Sequence, residues 1–171
     1  MSQNRLFPHL AKVLAALAGA ALIALVASVL FLRPTAPAVT FTTLDGERIS
    51  MSELRGRVVF VNFWATSCAT CIKEMPDVVK TWQHFAARGF ELVAVAMSYD
   101  PPEYVRNYTV QHRLPFKVAL DSQGTIAAAF GDVNLTPTAV LIDKHGRILQ
   151  RYVGEPDFAA LQALIDKELA K

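Results

Sequence analysis

The chain has 171 residues, enough for one domain with a substantial core plus one further segment. Hydrophobic residues make up 53% of it, above the usual share, and the excess is concentrated near the N-terminus. The net charge of +2, with no Lys/Arg cluster and no basic–aromatic interleaving, argues against a nucleic-acid partner.

Residues 1–12 carry Arg5 and Lys12 and read as a short basic N-terminus. Val13 to Leu32 then runs without a charged side chain and is rich in Ala, Leu and Val. As a helix this run would rise about 1.5 Å per residue and span roughly 30 Å, the hydrocarbon thickness of a bilayer. The segment 13–32 is therefore predicted to be a transmembrane anchor. The basic residues before it keep the N-terminus in the cytoplasm and send the remainder outward. Ala36-Pro37-Ala38 has the small-x-small look of a signal cleavage site. A signal's apolar region is typically about 7–15 residues, however, so a retained anchor fits better. Either way the chain from about residue 39 is exported, in a periplasm-like location. Residues 33–38, with Pro34 and Pro37, read as a stiff linker.

From residue 39 onward the pattern is that of an α/β domain. Val39–Phe41 and Arg48–Ser50 read as strands around an Asp45-Gly46 turn. Arg57–Phe63 is a β-branched and aromatic run suited to a buried central strand. A helix is expected from Cys68 to about Arg88, stopped by Gly89 and kinked at Pro76. Phe90–Met97 is a second buried strand. Pro101-Pro102 opens a helix to about His112. Phe116–Leu120 is a short strand, and Thr125–Phe130 a short helix closed by Gly131. Thr138–Ile142 and Arg147–Val153 form a hairpin around Lys144-His145-Gly146, and Pro156–Ala170 is a terminal amphipathic helix. Strands alternating with helices, followed by a hairpin, imply a mixed sheet flanked by helices.

The chemistry points to Cys68 and Cys71, the two cysteines of the chain. They are too few and too close for a structural disulfide framework, and a bridge closing so short a loop adds little stability. They stand where a strand gives way to a helix. A cysteine at a helix N-terminus meets unpaired N–H groups and the positive end of the dipole, which lowers its pKa. Cys71, at i+3, lies on the same helical face and can resolve a mixed disulfide. A zinc site would need two further ligands, and His84, His112 and His145 lack the necessary pairing.

The run Phe63-Trp64-Ala65-x-x-Cys68-x-x-Cys71, with Pro76 after it, resembles the thioredoxin active site. Thr136-Pro137, ahead of the strand Thr138–Ile142, resembles that superfamily's cis-proline loop. The chain is most similar to the TlpA/ResA-type branch, through its apolar N-terminal run, Lys73-Glu74-Met75-Pro76, and the long segment from Tyr99 to Asp121. The resemblance implies a thioredoxin-like fold from about Val39 to the C-terminus. It implies a thiol–disulfide oxidoreductase with Cys68, Cys71 and Glu74 as catalytic residues, and no cofactor or metal. Thr136, Pro137 and Trp64 would contact the client, with Pro137 in a cis peptide and Trp64 a packing residue and not a reactant. Glu74 would lie beneath the cysteines and carry a proton. Expected partners are exported client proteins, such as apocytochrome c or metal-site assembly factors, and a membrane protein that supplies electrons.

Three departures from the pattern bear on this reading. Asn62 stands where thioredoxin carries an Asp, which moves proton transfer to Glu74. Ser67 replaces the Trp that usually precedes the first Cys, and Ala69-Thr70 replaces the usual pair between the cysteines. A disulfide oxidant or isomerase on the same fold is the alternative function. A copper metallochaperone is the alternative of another class, although it would want a CxxxC and a distant His. The peroxiredoxin-type motif is absent before Cys68.

Overall fold

The computed structural model describes residues 12–22 and 33–171. The chain divides into two compact units, Met1–Arg33 and Pro34–Lys171. In the first unit residues 12–22 are helical. The rest of the expected anchor, residues 23–32, lies outside the described residues. Among the described residues no helix is long and apolar enough to cross a membrane.

The second unit is built on a five-stranded mixed sheet in the order β5-β4-β3-β6-β7. The strands are β3 (Val58–Trp64), β4 (Phe90–Ala96), β5 (Lys117–Leu120), β6 (Thr138–Ile142) and β7 (Ile148–Val153). β3 pairs in parallel with β4, and β4 with β5. β3 pairs antiparallel with β6, and β6 with β7. A separate antiparallel hairpin is made by β1 (Thr40–Thr42) and β2 (Arg48–Ser50). The helices are α1 (Ala69–Phe85), α2 (Pro102–His112), α3 (Thr125–Ala129) and α4 (Phe158–Leu169).

Every residue of β3 is buried, Asn62 included, as its β-branched and aromatic run implies for a strand covered on both faces. Alternation divides its side chains between two cores. Phe60 and Trp64 join Met75 and Val78 of α1 with Leu161 and Ile165 of α4. Val59, Val61 and Phe63 turn to the other face, against Phe41, Ile49, Leu54 and Phe130. The same alternation places Asn62 on the α1 face, where it meets that helix.

α1 ends at Phe85, followed by one 3₁₀ turn, Ala86–Arg88. Gly89 then stops the helix in the left-handed region, at φ 93°, where only glycine sits without strain. The helix continues through Pro76, which faces solvent. The segment expected to act as a spacer is partly paired. Ala36 N–H donates to the Gly146 carbonyl at 2.8 Å, and Ile148 N–H donates to the Pro34 carbonyl at 2.7 Å. Its backbone groups find partners at the open edge beside the β6–β7 turn, which composition alone could not indicate.

Candidate active site

β3 ends at Trp64, and Ala65-Thr66-Ser67 turns the chain into α1. Cys68 is the N-cap of that helix, with extended backbone at φ −90° and ψ 104°. Its Sγ accepts a hydrogen bond from the Cys71 N–H at 3.1 Å, so sulfur fills the role that a Ser or Asp oxygen usually takes. Cys68 and Cys71 are joined in a disulfide. Cys68 is half-buried, whereas Cys71 is fully buried. Once the bond is reduced, Cys68 sulfur faces an N–H and the positive end of a helix of more than four turns. Both favour the thiolate.

Glu74 lies one turn further along α1 and is only 2% exposed. Its Oε1 accepts from Asn62 Nδ2 at the long distance of 3.5 Å. Oε2 and Asn62 Oδ1 are buried with no partner among the described residues. Burial pushes the carboxyl up from its ordinary value to about 7. The Asn62 bond opposes that rise, and the negative charge of Glu155 reinforces it. A carboxyl at this position gains or loses its proton near neutral pH.

The second loop of the site comes from β6. The Thr136–Pro137 peptide is cis, as the resemblance implies. Phe63 pairs with Thr138, so Pro137 lies just beyond the last β3–β6 pair, at the end of the sheet from which Trp64 leads into the cysteines. Pro137 is buried and Thr136 half-buried. The Pro137 carbonyl accepts from Gly154 N–H at 2.8 Å. Next to Gly154, Glu155 forms a 2.8 Å ion pair with Lys73 of α1, an exposed contact worth little in stability.

The expectation that Trp64 contacts the client is corrected by its position. Trp64 is completely buried, with its ring tilted against Tyr108 at 5.3 Å between centroids. Its even place in β3 turns it beneath α1, so it supports the redox loop from inside. Trp64→Ala is expected to destabilise the domain by about 3–5 kcal/mol, the usual cost of emptying a large aromatic site. Urea denaturation monitored by circular dichroism measures this.

Two residues of the site were not singled out in the sequence. Asp100 is 5% exposed, and its carboxylate holds Thr66 in the redox loop. Tyr99 shares a hydrogen bond with Thr136. Both contacts are long-range, and no short motif announces them. Among the described residues no group of three or more His, Cys, Asp or Glu side chains is arranged to hold a metal ion.

Comparison with known proteins places this geometry. The family model for Redoxin matches residues 33–165. The thiol–disulfide oxidoreductase ResA of Bacillus thuringiensis subsp. konkukian is 35% identical over 132 residues, covering 77% of this chain and 75% of that protein. The chain belongs to the Redoxin family, in its ResA-type thiol–disulfide oxidoreductase branch. The ResA of Bacillus subtilis is 34% identical over 119 residues, covering 70% of this chain and 65% of its own length. Among solved structures, a thioredoxin-type protein from Neisseria meningitidis superposes with a TM-score of 0.75 at 41% identity, over 82% of this chain and 93% of that one. StoA from Bacillus subtilis superposes with a TM-score of 0.65 at 26% identity, over 76% and 98%. The ResA-type protein described here is thus a thiol–disulfide oxidoreductase with a thioredoxin-like fold. It departs from thioredoxin's pattern at Asn62, at Ser67 and at the Ala69-Thr70 pair between the cysteines.

Proposed function

We propose that the protein is a membrane-tethered, extracytoplasmic dithiol reductase, with Cys68 attacking and Cys71 resolving. The observation that supports this order of attack is the asymmetry of the pair: Cys68 is half-buried and caps α1 through its sulfur, while Cys71 is fully buried. The Cys68 thiolate attacks one sulfur of a client disulfide, and the other client sulfur leaves as a thiolate. Cys71, losing its proton, then attacks the Cys68–client bond. The Cys68–Cys71 disulfide forms and the second client thiol is released. Two electrons pass to the client, and in this reading the buried Glu74, one turn along α1, takes the Cys71 proton.

The cis Pro137 aims the Thr136 backbone at an extended client segment, in the manner of strand addition. The clients are exported disulfides, such as those of apocytochrome c or a metal-site assembly factor. A membrane redox partner returns two electrons to the Cys68–Cys71 bond. The uncharged run from Val13 to Leu32, behind Arg5 and Lys12, supports tethering with the domain outside.

Rapid acid quenching of cells followed by alkylation with a mass tag tests the direction of electron flow. A reductase fed across the membrane is expected to carry two tags, on Cys68 and Cys71. A population that carries none is oxidised and identifies a disulfide donor instead.

A further inference from the structure

The loop joining β4 to α2, residues 97–101, touches both halves of the site. Asp100 accepts from the Thr66 N–H through Oδ2 and from the Thr66 hydroxyl through Oδ1, both at 2.6 Å. Both oxygens of a nearly buried carboxylate are therefore committed to one residue, two positions before Cys68. The adjacent side chain, Tyr99, reaches the other way: its hydroxyl lies 3.1 Å from Thr136 Oγ1, in the residue preceding Pro137. The loop backbone adds a further tie, since Met97 N–H donates to the Trp64 carbonyl at 3.0 Å and Asp100 N–H to the Met97 carbonyl at 3.0 Å.

An Asp just ahead of a helix ordinarily caps that helix. Asp100 does not. The N-cap of α2 is Pro101, and no side chain bonds the first turn. The carboxylate is turned instead to the redox loop, where charge-assisted bonds are strong and directional. Tyr99 is 57% exposed, so the core does not hold its ring, and the Thr136 bond is what aims it at the Pro137 loop.

We propose that Tyr99 and Asp100 are positioning residues for disulfide exchange, which clasp the Pro137 loop and the cysteine loop at the spacing an extended client requires. Asp100 fixes the turn that presents the Cys68 sulfur at the helix N-terminus. Tyr99 fixes the strand against which the client lies. The inference rests on reading Cys68 and Cys71 as the reacting pair and Thr136-Pro137 as the client's backbone partner. It separates two tasks: Asp100 serves every disulfide, small or large, while Tyr99 serves clients long enough to reach the Pro137 loop.

The test uses the full chain in detergent, reduced, with two substrates: hydroxyethyl disulfide, which is too short to span both loops, and insulin. Tyr99→Phe keeps the ring and removes the hydroxyl. It is expected to raise KM for insulin about fivefold, the effect of one ordinary hydrogen bond, and to raise it less for the small disulfide. Asp100→Ala is expected to lower kcat about tenfold for both substrates, as two charge-assisted bonds are lost. Asp100→Asn should recover most of that loss, because its amide oxygen still accepts from the Thr66 N–H and its amide group can donate to the hydroxyl. Equal effects of Tyr99→Phe on both substrates overturn the clasp. So does an Asp100→Ala loss that Asn does not rescue and that follows only a lowered unfolding midpoint. Inertness of the unsubstituted protein toward both substrates, or full activity of Cys68→Ser, overturns the underlying reading of the cysteines instead.

Discussion

Cys68→Ser is expected to reduce disulfide exchange to background, and Cys71→Ser to leave the protein covalently joined to its clients. The two cysteines occupy one motif but differ in access. Cys68 is half-buried, with its sulfur against the Cys71 N–H at the head of α1, whereas Cys71 has no exposed surface. Only the first can approach a sulfur on another protein. A serine there lacks a nucleophile that ionises near neutral pH, so no mixed disulfide forms. A serine at position 71 leaves the attack intact and removes the resolving thiol, so the intermediate accumulates. Intact-protein mass spectrometry after incubation with a disulfide-bonded peptide reads both outcomes. An adduct on Cys71 of the Cys68→Ser protein, with none on Cys68 of the Cys71→Ser protein, would reverse the order of attack.

Glu74→Gln is expected to change both the pH profile of exchange and the pH dependence of stability. Burial raises the Glu74 carboxyl from 4.5 to about 7, so the folded protein holds this proton over a range where the unfolded chain has released it. The stability this confers is fully present below pH 4.5 and is lost as pH rises through about 7. The total change amounts to about 3 kcal/mol at 1.36 kcal/mol per pKa unit. Gln has no proton to release, so the difference in unfolding free energy between the two proteins should shift by that amount across the window and level off above it. For the reaction, a carboxyl that titrates near neutrality suits proton exchange with Cys71. The substitution should slow exchange at neutral pH by about 10²-fold, the lower end for general acid–base catalysis. It should also erase the inflection near pH 7. An unchanged profile would make Glu74 a buried structural residue only.

Much of this site was legible in the sequence because its information is local. The β-branched and aromatic run of β3, broken only by Asn62, announced a strand covered on both faces, and Gly89 announced where the first helix stops. The spacing of Cys68 and Cys71 indicated that their sulfurs meet at the head of the first helix, although Cys68 caps that helix with extended backbone and does not share its face, and the resemblance to thioredoxin implied the cis peptide before Pro137. Glu74 was named by its position in a motif, but its burial depends on Asn62, which only the β3 phase brings beneath α1. Trp64 shows the opposite failure. Its place beside the cysteines suggested a client contact, while the strand alternation that turns it inward was equally present in the pattern.

Asp100 was illegible for another reason. Next to Pro101-Pro102 it reads as a helix start, and its actual partner is Thr66, far away in sequence on the neighbouring strand's loop. The pairing of Ala36 with Gly146 is hidden in the same way, because proline and alanine content describes the stiffness of a segment and not the edge it meets.

The reduction potential of the Cys68–Cys71 pair, measured by equilibration against dithiothreitol and glutathione, bears most directly on the proposed reductase. A value near that of thioredoxin, roughly −270 mV, is expected for a dithiol that passes electrons to exported disulfides. A value near roughly −120 mV, the range of a strong oxidant, would contradict it and make the protein a donor of disulfides.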